Sequence, residues 1–230
     1  MSADEQIPTI NLKVTLPIRM ATLVVPGITV RSDSDAGYRL IQESAARYVE
    51  QYVDRGVTSP GSVEGVQTSR ELFRQLGIDP TKHRPSSEKL LNRVLKKKPL
   101  PSINTLVDIG NWFSLDILLP IGIYDFDCLA PGPIELRQGM AGETYRAIGD
   151  SEINLHGRYL LADADGPFGT PITDSLRTAV TEQTTTTGLF VYAPLSYSPE
   201  RLEAEVSRMR ARIQEICHGY AGEIELHQGT

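Results

Sequence analysis

RELFRQLGIDPTKHRPSSEKLLNRVLKKKPLPSINTLVDIGNWFSLDILLPIGIYDFD, residues 70–127, is the stretch on which the reading of this chain turns. Pro85 and Ser86 open a helix in which Leu90, Leu91, Val94 and Leu95 fall on one face, with the Ser86 hydroxyl placed to accept from a free first-turn N–H. The helix is expected to stop before Pro99. Its opposite face carries Lys89, Arg93 and Lys96 to Lys98, and Lys82, His83 and Arg84 lie just upstream. After Pro99-Leu100-Pro101, Ser102 is placed to cap a second helix whose apolar set, Ile103, Leu106, Val107, Phe113 and Ile117, recurs at helical spacing. Asn104, Asp108 and Asn111 follow at i, i+4 and i+7, so two amides and a carboxylate project into one region. Such a face binds a ligand, or is solvated, or satisfies the backbone of the segment 119–127 that follows; the spacing alone leaves these open.

Working outward toward the N-terminus, Ile10 to Leu16 and Ala21 to Val30 read as core-facing strands separated by Pro17. Asp33 or Ser34 then caps a long amphipathic helix through about Val53, with Leu40, Ile41, Ala45, Tyr48, Val49 and Tyr52 as its buried stripe. Val66 to Leu76 forms a short helix closed by Gly77.

Toward the C-terminus the pattern changes to short strands: Ile134 to Arg137, Glu143 to Ile148, Tyr159 to Ala162 and Gly188 to Tyr192. Asp163-Ala164-Asp165-Gly166 is a hairpin turn and not a calcium loop, because the later Glu of that ligand pattern is missing. Thr173 to Thr187 is a candidate pocket wall. Arg177 can clamp a carboxylate or phosphate there, and Asp174 can orient it or act on a water; the bland alternative is an exposed Thr-rich edge strand with a local Asp–Arg pair. Ser198-Pro199 starts a last helix along Leu202, Val206, Met209 and Ile213, and Glu223 to His227 adds an edge strand.

The chain has 230 residues, 40% of them hydrophobic, enough to bury one sizeable core, and no Gly/Ser-rich linker divides it into comparable halves. One domain over 1–230 is the expectation, with a core of about 20–195 and an N-terminal strand and C-terminal helix as elaborations. No apolar run is long enough for a membrane helix and no secretory pattern opens the sequence, so a cytoplasmic protein without membrane contact is expected. Cys128 and Cys217 are expected to be reduced thiols. His156, His218 and His227 look like surface residues. No metal-ligand spacing or Ser-His-Asp order stands out, and neither metal nor cofactor is expected. The segment 82–98 holds seven Lys/Arg against Glu88 alone, in a chain whose formal net charge is −6. A chain this acidic does not coat nucleic acid, yet a local basic strip can contact a few phosphates of one RNA; the alternative is a solvated helix end.

Four stretches occurring in order carry a family resemblance: 83–127 within the opening segment, PIELRQGMAGETY (133–145), YLLADADG (159–166) and RTAVTEQTT (177–185). Over roughly residues 20–195 the chain resembles the B3/B4 domain of the phenylalanyl-tRNA synthetase beta subunit, specifically its stand-alone relatives. The resemblance implies an α+β, three-layer β/β/α sandwich with mixed sheets and helices on one side. It also implies an editing pocket, which in the synthetase hydrolyses mischarged tyrosyl-tRNA. In that pattern the second helix carries an Asp-x-x-Asn face and is followed by Pro-x-His before Phe-Asp. Asp108, Asn111, Pro120, Tyr124 and Asp125 match; Gly122 stands where the pocket His belongs, Gly110 where a Thr precedes the Asn, and Phe190 near the Glu that reads the tyrosine hydroxyl.

The resulting expectation is an aminoacyl-tRNA deacylase, using a water positioned by polar groups and by the tRNA's own terminal hydroxyl. The alternative is a non-catalytic module that binds an amino acid or the aminoacylated tRNA end. Asn111, Asp174 and Arg177 are the catalytic candidates. Asn104, Asp108, Gly122, Ser175, Thr178 and Phe190 are the substrate-contact candidates. Lys82, Arg84, Lys89, Arg93, Lys96, Lys97 and Lys98 are the RNA-contact candidates. The amino acid, the tRNA and the oligomeric state are left open.

Overall fold

The computed structural model describes residues 10–33, 35–220 and 222–229. In chain order the strands are β1 (Leu12–Val14), β2 (Ile18–Pro26), β3 (Ile121–Asp125), β4 (Ile134–Gln138), β5 (Thr144–Arg146), β6 (Glu152–Asn154), β7 (Tyr159–Asp163), β8 (Gly166–Gly169), β9 (Thr186–Pro194) and β10 (Ile224–Gln228). The helices are α1 (Ala36–Gln51), α2 (Val66–Gln75), α3 (Ser86–Leu95), α4 (Thr105–Ile117) and α5 (Pro199–Cys217). One four-stranded sheet runs β1-β4-β7-β8 and a second runs β10-β2-β9-β3, with β5-β6 as a separate hairpin. The first sheet is mixed, since β1 lies parallel to β4; the second is antiparallel throughout.

Alternation along β2 and β9 sets the layers. Ala21, Leu23 and Val25, with Leu189, Val191 and Ala193, share a core with α1, α3, α4 and α5. The intervening Met20, Val24, Phe190 and Tyr192 face the other way, against Leu136, Leu161 and Phe168 of the first sheet. Both faces of β2 and β9 are therefore covered, and these strands are buried on both faces along almost their whole length. Each large apolar side chain so buried contributes about 1.5–3 kcal/mol of transfer free energy.

The expected helices form, and their caps correct the sequence reading. Pro85 occupies the cap position of α3 and no side chain, Ser86 included, bonds its first turn. Asn104, not Ser102, caps α4, its Oδ1 accepting from the Val107 N–H at 2.9 Å. Asp35 sits at the α1 cap without a side-chain bond; the expected cap Ser34 lies outside the described residues. Helices α1, α3, α4 and α5 lie on one side, whereas Leu72 of α2 and Leu76 just past its end enter the core between the sheets. The expected hairpin at 163–166 joins β7 to β8, and the Thr-rich run leads into β9, a central strand and not an edge. His227 is half-buried, its Nε2 2.8 Å from the Thr22 hydroxyl, and burial pushes its pKa down. Both cysteines are free, Cys128 exposed and Cys217 buried. No helix among the described residues is long and apolar enough to cross a membrane.

Candidate functional site

The chain from Pro101 to Ile123 builds one wall of a cavity of about 260 Å³. The Asp108 carboxylate folds back on the entry to α4: Oδ1 accepts from the Ile103 N–H at 2.9 Å and Oδ2 from the Ser102 hydroxyl at 2.6 Å. That strap fixes Ile103 at the cavity's rim, where it is 59% exposed. One turn further on, Val107 lines the cavity, followed by Gly110, Asn111 and Ser114. Ile121 and Ile123 of β3 form the floor beside α4, Ser86 contributes from the start of α3, and Ile148, Asp174 and Val180 close the far side. Gly110 leaves room for Ile123, whose Cδ1 occupies the place a Cβ at 110 would take. Ile123 thus fills the volume that a Thr would occupy at that position.

Among these predominantly aliphatic walls, two polar groups keep hydrogen-bonding capacity. The half-buried Asn111 amide makes no hydrogen bond among the described residues. Asp174 Oδ1 accepts from the Tyr124 phenol at 2.7 Å, and Oδ2 accepts nothing among the described residues. Burial raises the Asp174 carboxyl from its ordinary value to about 7, against the lowering effect of the phenol's hydrogen bond. Ser114, by contrast, is spent on the Leu119 carbonyl at 2.8 Å. Among the described residues no three His, Cys, Asp or Glu side chains converge to hold a metal ion.

The remaining candidates are placed elsewhere. Asn104 is a helix cap and Asp108 a buried strap, so the i, i+4, i+7 face delivers only Asn111 to the cavity. Arg177 does not face Asn111 and is not paired with Asp174. Its guanidinium clasps Asp163 at 2.8 and 3.1 Å and donates to the Cys128 carbonyl at 2.9 Å. Ser175 is buried and accepts from the Arg177 N–H at 3.1 Å, and Thr178 is buried with its hydroxyl unpartnered. Phe190 lies in the inter-sheet core, edge-on to Tyr124 with centroids 5.5 Å apart. Gly122 makes room for the Tyr124 hydroxyl, which a Cβ at 122 would strike. The threonines of the 184–187 run satisfy the acids at the end of β3 and beyond it: Thr184 donates to Asp125 at 2.7 Å and Thr185 to Asp127 at 2.8 Å.

All seven basic candidates are exposed. Arg93 donates to the Pro99 carbonyl at 2.8 Å, Arg84 is 3.6 Å from Glu88, and Lys97 is 4.0 Å from Asp54. Lys82, Lys89, Lys96 and Lys98 form no ion pair among the described residues. Ser86, the first residue of α3, touches the cavity, and most of the strip lies along this helix, which is about 15 Å long. Sequence reasoning missed the partnership of Tyr124 with Asp174 and the aliphatic ring of Ile103, Ile121, Ile123 and Ile148. The Gly122, Tyr124 alternation was the available signal for the former. A larger, more open hollow of about 450 Å³ borders α1 and α4. Its central Asp116 is already held by Arg47, Ser44 at 3.1 Å and Arg208 at 2.7 Å.

The sequence model of the B3/4 domain matches residues 68–210, more than half of the chain, and that span contains every element lining the cavity. The chain belongs to the B3/4 domain family. This B3/4 domain is similar to the phenylalanine-tRNA ligase beta subunit of Neisseria meningitidis serogroup A, with 26% identity over 161 residues, 59% of this chain and 20% of that one. It is also similar to the beta subunit of Brucella abortus, with 35% identity over 82 residues, 35% of this chain and 10% of that one. The B3/4 chain therefore spans at most about a fifth of these relatives' length. Among solved structures, an N-terminal fragment of the phenylalanyl-tRNA synthetase beta subunit from Pyrococcus horikoshii aligns over 97% of this chain and 54% of that one, with 17% identity and a TM-score of 0.45.

Proposed function

We propose that this B3/4 domain hydrolyses the ester of a mischarged aminoacyl-tRNA, with the acyl group seated in the cavity between α4 and β3. The observation that carries the reading is the pairing of an unspent amide, Asn111, with a carboxyl whose pKa is raised to about 7, Asp174, inside an otherwise aliphatic cavity. A carboxylate ionising near neutrality is suited to take a proton from water. In the proposed reaction Asp174 accepts that proton while the water oxygen adds to the ester carbonyl, and the Asn111 amide donates to the oxygen that becomes negative. Collapse breaks the bond to the ribose oxygen, which leaves with the proton. The tRNA's own terminal hydroxyl helps to place the water.

A panel of mischarged tRNAs tests this directly. Turnover of at least one by the wild-type chain supports the reading, and Asn111→Ala is expected to lose tenfold or more, about 1.4 kcal/mol on the transition-state scale, with an unchanged melting temperature. Loss of the pattern His at Gly122, and of a Glu near Phe190, favours the competing reading of a module that only binds the amino acid or the aminoacylated end. That reading is recognised by ligand-dependent stabilisation without turnover.

The basic strip is proposed to contact tRNA phosphates. Replacing Lys96, Lys97 and Lys98 by Gln is expected to weaken tRNA binding and flatten the slope of log K against log salt by roughly 2 to 3. Unchanged affinity and slope would leave these lysines as a solvated helix end.

A further inference from the structure

We propose that Tyr124 is a positioning residue of this site, a phenol that threads between the two sheets to hold and aim the Asp174 carboxylate; the inference rests on the deacylase reading above. Tyr124 is fully buried, and its ring is part of the inter-sheet core, edge-on to Phe168 with centroids 4.9 Å apart and to Phe190 at 5.5 Å. A phenylalanine would serve that packing equally well. The hydroxyl is the unexpected atom, because a buried phenol is costly unless it is hydrogen-bonded. Its partner, at 2.7 Å, is the one carboxylate among the described residues that lines the cavity.

Two glycines exist at the places where this contact demands them. Gly122, two residues earlier on β3, and Gly169, at the end of β8 in the other sheet, both lie against the Tyr124 hydroxyl, and a Cβ at either would collide with it. Ile121 and Ile123, on the opposite face of β3, line the cavity. Asp174 follows β8 and belongs to the loop beyond it, where the backbone is held by Ser175 N–H to the Phe168 carbonyl at 2.8 Å and Ile148 N–H to the Asp174 carbonyl at 3.0 Å. The carboxylate thereby meets the cavity on one side and the phenol on the other. Gly122 and Tyr124 are one coupled feature: a side chain at 122, such as the His of the synthetase pattern, and a phenol at 124 reaching Asp174 exclude one another.

The titratable groups around Asp174 are Tyr124 from β3, Tyr192 from β9 and Tyr145 from β5, with Arg158 beyond Tyr145. Tyr145 is spent on the Thr173 carbonyl at 2.7 Å, and the Tyr192 hydroxyl lies beside that of Tyr124 without a hydrogen-bond partner. Tyr124 alone donates to the carboxylate among the described residues.

The test uses the full chain with Tyr124→Phe, following the Asp174 carboxyl by carbon-13 NMR through a pH titration, assigned against Asp174→Asn, in parallel with deacylation across pH corrected for spontaneous hydrolysis. Removing a donor to the ionised form is expected to move the Asp174 midpoint upward by roughly one pH unit. The rate at pH 7 should fall about fivefold and recover toward wild type at higher pH. Gly122→Ala, which crowds the hydroxyl without deleting it, should move the midpoint in the same direction. A midpoint that stays in place in both variants overturns the inference. A wild-type chain that deacylates nothing, yet shows the Tyr124-dependent midpoint, overturns the deacylase reading while leaving the phenol–carboxylate coupling standing, so the two failures are read separately.

Discussion

Arg177→Ala is expected to destabilise the fold by about 3–5 kcal/mol, the cost of stranding a buried carboxylate. Its partner Asp163 has a fully buried side chain, and two of the clasping hydrogen bonds, at 2.8 and 3.1 Å, come from the lost guanidinium. The backbone N–H groups of Ala130 and Asp165 remain, at 2.9 and 3.0 Å, which places the expected loss toward the lower end. For a chain of this size 3 kcal/mol corresponds to a drop of roughly 6–12 °C in melting temperature. The same guanidinium holds the Cys128 carbonyl at 2.9 Å and the Gly166 carbonyl at 3.3 Å, tying the turn after β3 to the β7-β8 hairpin. Lysine cannot reproduce that fork, so Arg177→Lys should recover little. Below the melting transition the deacylation rate should change less than tenfold, because the loop carrying Asp174 keeps its own backbone bonds. A well-folded Arg177→Ala chain with its melting temperature intact and turnover abolished would instead make Arg177 a ligand clamp. Pairing Arg177→Met with Asp163→Asn removes both charges and should recover part of the stability, as expected if the penalty comes from the unpaired carboxylate.

The helices were legible because their apolar residues repeat on one face: Leu90, Leu91, Val94 and Leu95 are all buried where the spacing put them. The helix starts were less legible, since Ser86, Ser102 and Asn104 are all plausible caps and only the entry angle of the chain decides which one bonds. The same competition explains the partial success at the site. Asn104, Asp108 and Asn111 do share a face, but the first turn of α4 claims the first two for its own cap and entry loop, and only the residue beyond that turn is free to line a cavity. The pairing of Arg177 with Asp163 was not legible because the two lie 14 residues apart across a hairpin, which local spacing does not reveal. Phe190 is pointed between the sheets by its alternation in β9, and the strand register places it opposite Gly122.

Gly110 and Gly122 look, along the sequence, like two erased functional side chains. In three dimensions each is the vacated partner of a larger neighbour two residues along β3 or across from it, Ile123 over Gly110 and Tyr124 over Gly122. The first exchange makes the cavity more aliphatic. The second brings a hydroxyl to Asp174.

Asp174→Asn separates chemistry from stability because its two effects have opposite signs. If Asp174 takes the proton from water, the amide should lower deacylation by 100-fold or more. For stability, the folded carboxyl titrates near 7 while an unfolded Asp titrates near 3.8. Between those values the unfolded chain releases the proton first, so wild-type stability is fully present below about pH 4, falls as the pH rises through the window up to about 7, and is level above it. Asparagine carries no proton to lose and can still accept from the Tyr124 phenol, so the variant should match wild type near pH 4 and exceed it at pH 8. Allowing for the partial exposure of Asp174, the gain is on the order of 2 kcal/mol, or roughly 4–8 °C in melting temperature. Thermal melts at pH 4 and pH 8 beside the deacylation panel measure both. A variant that is inactive because it is damaged would melt lower at both pH values; a variant that melts higher at pH 8 and still turns over its substrate would remove Asp174 from the reaction and leave Asn111 as the cavity's working group.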